Sequence, residues 1–300
     1  MTVIVRLRGG LGNQLFQYAA GMSLAIHHGT DLKLDKSFLD TTKRPFWPYF
    51  LDRFDIHERF ATKEEIAKIP GARDSVLATK FWAFVGRYDQ SYYFYPTFVE
   101  RSFSFDPNFF WTNKDVYLIG YWQSEKYFVS IADALRKEVT LKEPMPTASE
   151  SMAEKIVQTE SVSIHVRRGD YANHARTNRQ HGLCSLDYYK RCVKSISERI
   201  HEPHFFVFSD EPDWVMKNLR TGAPTSFVIG NRAHEDLMLM SKCKHNIIAN
   251  SSFSWWGAWL NPNKEKIVLA PGRWFAKPSI DTKDLLPESW TKVETELETD

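Results

Sequence analysis

Apolar runs and alternation divide the chain into pieces of strand and helix size. Thr2 to Arg8 alternates like a short strand, R-G-G-L-G-N-Q-L-F-Q-Y then opens a helix running towards His28, Gly29 stops it, and Asp31 to Asp35 reads as the next strand. A β-turn-α-β unit of this kind starts a parallel sheet. Arg44 to Arg101 is rich in aromatics, prolines and charges and has little clean periodicity; Glu64 to Ile69 reads as a short helix and Gln90 to Phe94 as a strand or exposed loop. Val116 to Trp122 is a buried strand, followed by a helix from about Ser130 to Val139.

Leu141 to Glu150, with two prolines and little apolar content, is the predicted connection between domains 1–145 and 146–300. Beyond it the rhythm is more regular. A helix near Ser151 to Gln158 precedes the strand S-V-S-I-H-V-R-R-G-D-Y, Ser161 to Tyr171; a loop rich in His, Asn and Arg leads to a helix from Leu186 to Ile200 with Ser185 as N-cap. Strands follow at His204–Phe208, Ser226–Ile229, Asn246–Ala249 and Ile267–Ala270, with a helix at Glu235–Cys243. Such alternation predicts a second parallel sheet with helices on both faces.

Composition adds bounds. With 300 residues and 43% hydrophobic content, the chain can form two domains of ordinary size. Its 39 basic and 37 acidic residues give no basic field of the kind nucleic-acid binders use, so any anion site is local. Three cysteines without C-x-x-C or zinc spacing suit a reduced, cytoplasmic setting. Neither a secretory leader nor an 18-residue apolar run is read. The ten tryptophans suit sugar stacking or a bulky core.

Candidate chemistry lies at strand ends. His165 to Asp170, Ser209 to Asp213 and Asn250 to Ser254 each follow a strand of the second half, and neighbouring strands of a parallel sheet bring such ends into one crevice. Arg167 and Arg168 can donate to a diphosphate, Asp210 can accept from a guanine edge, and Ser251 and Ser252 stand where a strand turns into a helix. Together they describe a nucleotide pocket. Without D-x-D, H-E-x-x-H or clustered Cys/His, no metal is expected. At the N-terminus Gly10 and Gly12 match the first two glycines of a dinucleotide fingerprint, with Leu15 in place of the third and Asp35 at a tolerable distance to grip a ribose. That keeps a nicotinamide-dependent oxidoreductase as one alternative, and the aromatic excess keeps a non-catalytic sugar-binding protein as another.

G-G-L-G-N-Q-L-F-Q-Y at Gly9–Tyr18, G-Y-W-Q-S-E at Gly120–Glu125, H-V-R-R-G-D-Y at His165–Tyr171, F-S-D at Phe208–Asp210 and A-N-S-S-F-S-W-W-G-A-W-L at Ala249–Leu260 resemble, in order, the bacterial α1,2-fucosyltransferases. The resemblance implies an α/β, GT-B-like fold of two Rossmann-like domains with a cleft between them, the first mainly binding acceptor and the second GDP-fucose, the C-terminal tail packing back on the first. It implies inverting, metal-independent transfer of fucose to the 2-hydroxyl of a terminal β-galactoside, with no cofactor, no nucleic acid and no transmembrane segment, and with room for peripheral contact with a membrane-borne glycan. Arg167 would meet the β-phosphate; His165 and Asp210 the guanosine; Ser251 and Ser252 the phosphates, with Arg168, Asn250 and Phe253 beside them. Gly10, Asn13 and Gln14 would approach the fucose and diphosphate. Asp170 is the leading candidate for a catalytic base, with Glu125 behind it.

Overall fold

The structure, a computed structural model, describes residues 1–40, 47–72 and 95–299. Two compact units emerge: Met1–Lys142 together with Asp281–Leu285, and Glu143–Ile280 together with Leu286–Asp300.

In the first unit, β1 (Thr2–Arg6), α1 (Leu11–His28) and β2 (Asp31–Asp35) form the expected β-α-β start. Gly29 ends α1 in a left-handed conformation, its N–H reaching the carbonyls of Ala25 and Ile26. After α2 (Lys63–Ala67) come β3 (Thr97–Val99), β4 (Val116–Ile119) and α3 (Ala132–Glu138). The sheet has the order β2-β1-β4-β3 and every pairing in it is parallel. Val3, Val5 and Leu118 in its centre are wholly buried, as is Leu15 of α1; a sheet covered by helices needs apolar residues on both faces of its strands.

Several boundaries differ from the sequence reading. β4 stops at Ile119 rather than Trp122 because Trp122 turns to φ 56° and the N–H groups of Tyr121 and Trp122 go to the Glu100 carboxylate instead of a neighbouring strand. The short helix starts one residue early, at Lys63, since Thr62 and Glu65 form a capping box. The segment Gln90 to Phe94 lies outside the described residues.

The second unit begins with α4 (Thr147–Gln158), so Thr147 to Glu150 belong to a helix and not to the connection. It continues with β5 (Glu160–Val166), α5 (Gly169–Asn173), α6 (Ala175–His181), β6 (Leu183–Cys184), α7 (Leu186–Ser197), β7 (Pro203–Ser209), α8 (Pro212–Asn218), β8 (Thr225–Val228), α9 (Ala233–Lys242), β9 (His245–Ile247), α10 (Ser252–Leu260), β10 (Val268–Pro271), β11 (Thr291–Val293) and β12 (Leu297–Glu298). The main sheet runs β11-β10-β9-β5-β7-β8, all parallel, while β6 and β12 pair antiparallel beside it. The predicted loop rich in His, Asn and Arg is instead largely helical, as α5 and α6. Among the described residues, no helix is long and apolar enough to cross a membrane.

β5 is the axis of this unit, pairing with β7 through seven residue pairs and with β9 through three. Ile164 sits at its middle, fully buried. Ile164→Ala should lower stability by about 2–5 kcal/mol, the usual range for emptying such a position. Thermal and urea unfolding followed by circular dichroism measure it; a loss under about 1 kcal/mol would show that the sheet recloses around the gap.

Candidate active site

In an open parallel sheet a ligand crevice forms where the strand order reverses. In the second unit the chain builds β7 and β8 on one side of β5, then returns to build β9, β10 and β11 on the other, so the reversal falls between β5 and β9. Arg167 to Asp170 follow β5, and Asn250 to Ser252 follow β9. Their meeting is seen in the His165 and Phe253 rings, 5.4 Å apart, and in Tyr171, whose hydroxyl lies 3.5 Å from the Asn250 carbonyl.

Arg167 is the charged centre. Its Nη2 donates to Asp170 Oδ1 at 2.7 Å, its Nη1 lies 3.1 Å from Asp210 Oδ2, and its guanidinium sits 5.7 Å from the Tyr171 ring centre. Burial opposes the charge, but Asp210 and Asp170 outweigh it and hold the guanidinium firmly protonated. The arginine pair is divided in its duties. Arg168 stacks on Trp214 at 3.8 Å and donates through Nε to Glu211 at 3.0 Å, so its guanidinium is tied to α8 rather than shared with Arg167.

Asp210 links both. Its Oδ1 accepts the Arg168 N–H at 2.9 Å while Oδ2 faces Arg167, so in this state its carboxylate organises arginines. The close approach needs Gly169: a Cβ there would stand 2.6 Å from Asp210 Oδ2.

His165 is buried, and among the described residues its Nδ1 meets no hydrogen-bond partner. Burial lowers its pKa to about 4, Asp210 pulling it back up and Arg167 pushing it further down. His181, stacked on Tyr171, is likewise lowered to about 4 by burial, against the pull of Asp170. Both imidazoles are therefore neutral near pH 7.

The loop after β9 divides its labour too. Asn250 is fully buried; its amide donates to the carbonyls of His181, Gly182 and Trp274, and its Oδ1 accepts from the Cys184 thiol, so this side chain ties loops together instead of facing a ligand. Ser251 caps α10 by accepting from the Phe253 N–H at 3.3 Å. Ser252 and Phe253, both partly exposed, form the helix's first turn, which carries no acidic residue and presents the positive end of the helix dipole.

The first unit has its own reversal, between β1 and β4. The two glycine-containing motifs meet there. Gln123 donates to Asn13 Oδ1 at 2.7 Å, and Gln17 donates to the Gly120 carbonyl at 3.0 Å while accepting the Arg8 N–H at 2.9 Å. Gln14, expected against the sugar and diphosphate, is fully buried: its amide donates to Gly9 and Pro48 carbonyls and accepts the Phe50 N–H, which makes it a support of the loop. Gly10 is the N-cap residue of α1, and a Cβ added there would stand 3.2 Å from the Trp47 ring. Glu125 opens a turn of 3₁₀ helix in this unit, whereas Asp170 belongs to the second. Asp35 is committed as well, accepting from the Tyr117 hydroxyl and from the Ser37 N–H. The ribose-gripping role of the nicotinamide alternative is thereby closed to it in this state.

Sequence reasoning passed over Tyr171, His181, Glu211, Trp214, Gln17 and Glu100. Most act through backbone groups or ring faces, which leave no spacing signature. Among the described residues no three His, Cys, Asp or Glu side chains gather as a metal site.

The sequence profile of Glycosyl transferase family 11 matches residues 2–294. The chain belongs to that family. Glycosyl transfer is therefore its chemistry. An alpha-1,2-colitosyltransferase from Escherichia coli is 34% identical over 97% of this chain and 99% of its own, and the O-antigen biosynthesis glycosyltransferase WbnK, also from Escherichia coli, is 33% identical over 96% and 99%. Among solved structures, the fucosyltransferase NodZ from Bradyrhizobium superposes with a TM-score of 0.52 at 14% identity, over 85% of this chain and 91% of its own. The fold of this glycosyltransferase is accordingly the GT-B-like pairing of two Rossmann-like units.

Two outcomes follow for the transferase. Because the unfolded chain takes up protons near the ordinary imidazole pKa of 6.5 while the folded one refuses them down to about 4, stability is fully present above pH 6.5 and falls as pH drops through that window. Melting temperature against pH should show this decline, and His165→Asn should make it shallower; an unchanged slope would mean that His165 is readily protonated in the folded state. Gly169→Ala should push the Asp210 carboxylate off Arg167 and lower the melting temperature, since both partly buried charges are left imperfectly paired; an unchanged melting temperature would show that Asp210 gives way freely.

Proposed function

We propose that this glycosyltransferase moves L-fucose from GDP-fucose to the 2-hydroxyl of a terminal β-galactoside, with inversion and without a metal, building an α1,2-linked glycan such as an O-antigen. The carrying observation is Arg167, held charged at the strand-order reversal, where His165 of the same strand meets Phe253 in the N-terminal turn of α10. That combination suits a diphosphate leaving group. In this reading residues 146–300 take the donor and residues 1–145 supply most acceptor contacts, including from the Arg44–Arg101 region, which lies partly outside the described residues.

As the C1–O bond of fucose breaks, negative charge gathers on the β-phosphate. Arg167 and the Ser251–Ser252 turn meet that charge, for which preorganised donors are worth most in a site closed to water. Asp170 then serves first as the carboxylate that aims Arg167. The acceptor 2-hydroxyl oxygen bonds to C1 from the opposite face as the C1–O bond breaks and gives up its proton late, to solvent or the departing diphosphate, because an oxocarbenium-like transition state accepts a poorly activated hydroxyl. His165 offers its unpartnered Nδ1 to the nucleoside side. Asp210 reaches the guanosine once Arg167 turns to phosphate.

The names of the relatives favour one second reading, in which the donor sugar is colitose; the same diphosphate site serves it. Incubation with lactose and either GDP-fucose or GDP-colitose, followed by mass spectrometry and NMR of the product linkage, decides between them. The fucosyl reading expects a fucosylated trisaccharide with a new α1,2 linkage, at a rate unchanged by EDTA. Colitosyl product alone would replace it, and no transfer from either donor would overturn both. Arg167→Ala should cost about 100- to 1000-fold in rate, and more than about a tenth of the activity remaining would remove Arg167 from the chemistry.

A further inference from the structure

Glu100 lies at the end of β3, outside every motif on which the functional reading rests, yet both of its carboxylate oxygens are in use. Oε2 accepts the Tyr121 N–H at 2.7 Å and Oε1 the Trp122 N–H at 2.9 Å. The turn so held is an unusual one. Trp122 is fully buried with φ 56°, a left-handed backbone that large side chains rarely adopt without outside support. Space has been cleared for the carboxylate: a Cβ at Gly120 would stand 2.5 Å from Glu100 Cβ and 2.9 Å from its Oε2.

The residues on either side of this turn grip the first unit's glycine-rich loop. The Gly120 carbonyl accepts from Gln17, whose Oε1 accepts the Arg8 N–H, and Gln123 donates to Asn13. Arg8 in turn stacks on the Tyr121 ring at 4.7 Å. A carboxylate on β3 thus fixes a turn after β4, and that turn fixes the segment after β1.

We propose that Glu100 is a positioning residue for transfer: by clamping the Tyr121 and Trp122 N–H groups it sets the Gly120–Gln123 turn, and through Gln123 and Asn13 it sets the glycine-rich loop. The proposal rests on the transfer reading above. Burial raises the Glu100 carboxyl to about 7, while the two N–H donors and Arg8 favour its charge. Among the described residues, Tyr127 and the Arg101–Asp106 ion pair line the same cavity of about 240 Å³ as Glu100 and Trp122. The amide of Glu100→Gln accepts through one oxygen only and leaves one of the two N–H groups without its partner, and protonation of the carboxyl weakens the same bond by making one oxygen a hydroxyl.

Hydrogen exchange read by mass spectrometry over residues 118–125 tests the clamp without using the reaction. In Glu100→Gln at least one of the Tyr121 and Trp122 amides should exchange at least tenfold faster at pH 7.5, with amides outside the turn unchanged. Transfer from GDP-fucose to lactose should fall at least tenfold in kcat, while the rise in melting temperature caused by GDP should stay the same. Unchanged exchange at those two amides overturns the proposal, as does a loss of GDP binding equal to the loss of turnover. Should Glu100→Gln fail to fold, Gln123→Ala decides: a tenfold lower kcat with the GDP response intact supports the proposal, and native turnover overturns it. If the native protein itself transfers nothing to lactose, the functional reading fails while the exchange result still judges the clamp.

Discussion

A charged group withdrawn from water must be met by opposite charge or by oriented dipoles, and this protein meets the requirement at the carboxyl end of each parallel sheet. In the second unit the group is the Arg167 guanidinium, flanked by Asp170 and Asp210. The surroundings follow from it: Gly169 is small so that Asp210 can come close, Asp210 also fastens the Arg168 N–H, and Arg168 leans away onto Trp214 and Glu211. In the first unit the signs are reversed, with the Glu100 carboxylate met by two backbone N–H groups. Both arrangements hold charge where the sheets are open to ligands.

Side-chain amides do much of the remaining work. Gln14, Gln17, Asn250 and Asn261 are all buried, and each bridges loop or strand-end groups that no ladder satisfies. An amide both donates and accepts, so one residue can close two backbone vacancies at once. This explains why motifs rich in Asn and Gln recur at these turns even where the side chain faces no ligand.

The alternation of elements was legible because parallel strands must be apolar on both faces: β1, β4, β5 and β7 announce themselves as apolar runs. The strand-end cluster was legible too, since Arg167, Asp210 and Ser251 lie where strands of the second unit stop. Other features were not. The residues of α5 and α6 look polar and loop-like, and it is tertiary packing of Tyr171, Asn178 and His181 that holds them helical. Gln14 reads as a ligand contact because it follows a glycine-rich turn, and Asn250 because it stands at a strand end; burial made them supports. Glu100 left no trace in the sequence because its partners are backbone groups twenty residues away, which carry no residue type.

Neither unit is contiguous in the chain. The first is completed by Asp281–Leu285, where Asp284 takes the Lys126 ammonium at 2.6 Å and the Phe105 N–H at 3.0 Å, separations of 158 and 179 residues. The second is completed by β11 and β12, later still. On the ribosome, then, β1 to β4 emerge long before the carboxylate that finishes their unit, a wait on the order of ten seconds at ordinary elongation rates. The two units cannot mature one after the other in the order of synthesis. Each reaches its final form only once its late segment, Asp281–Leu285 for the first and β11 with β12 for the second, has been made.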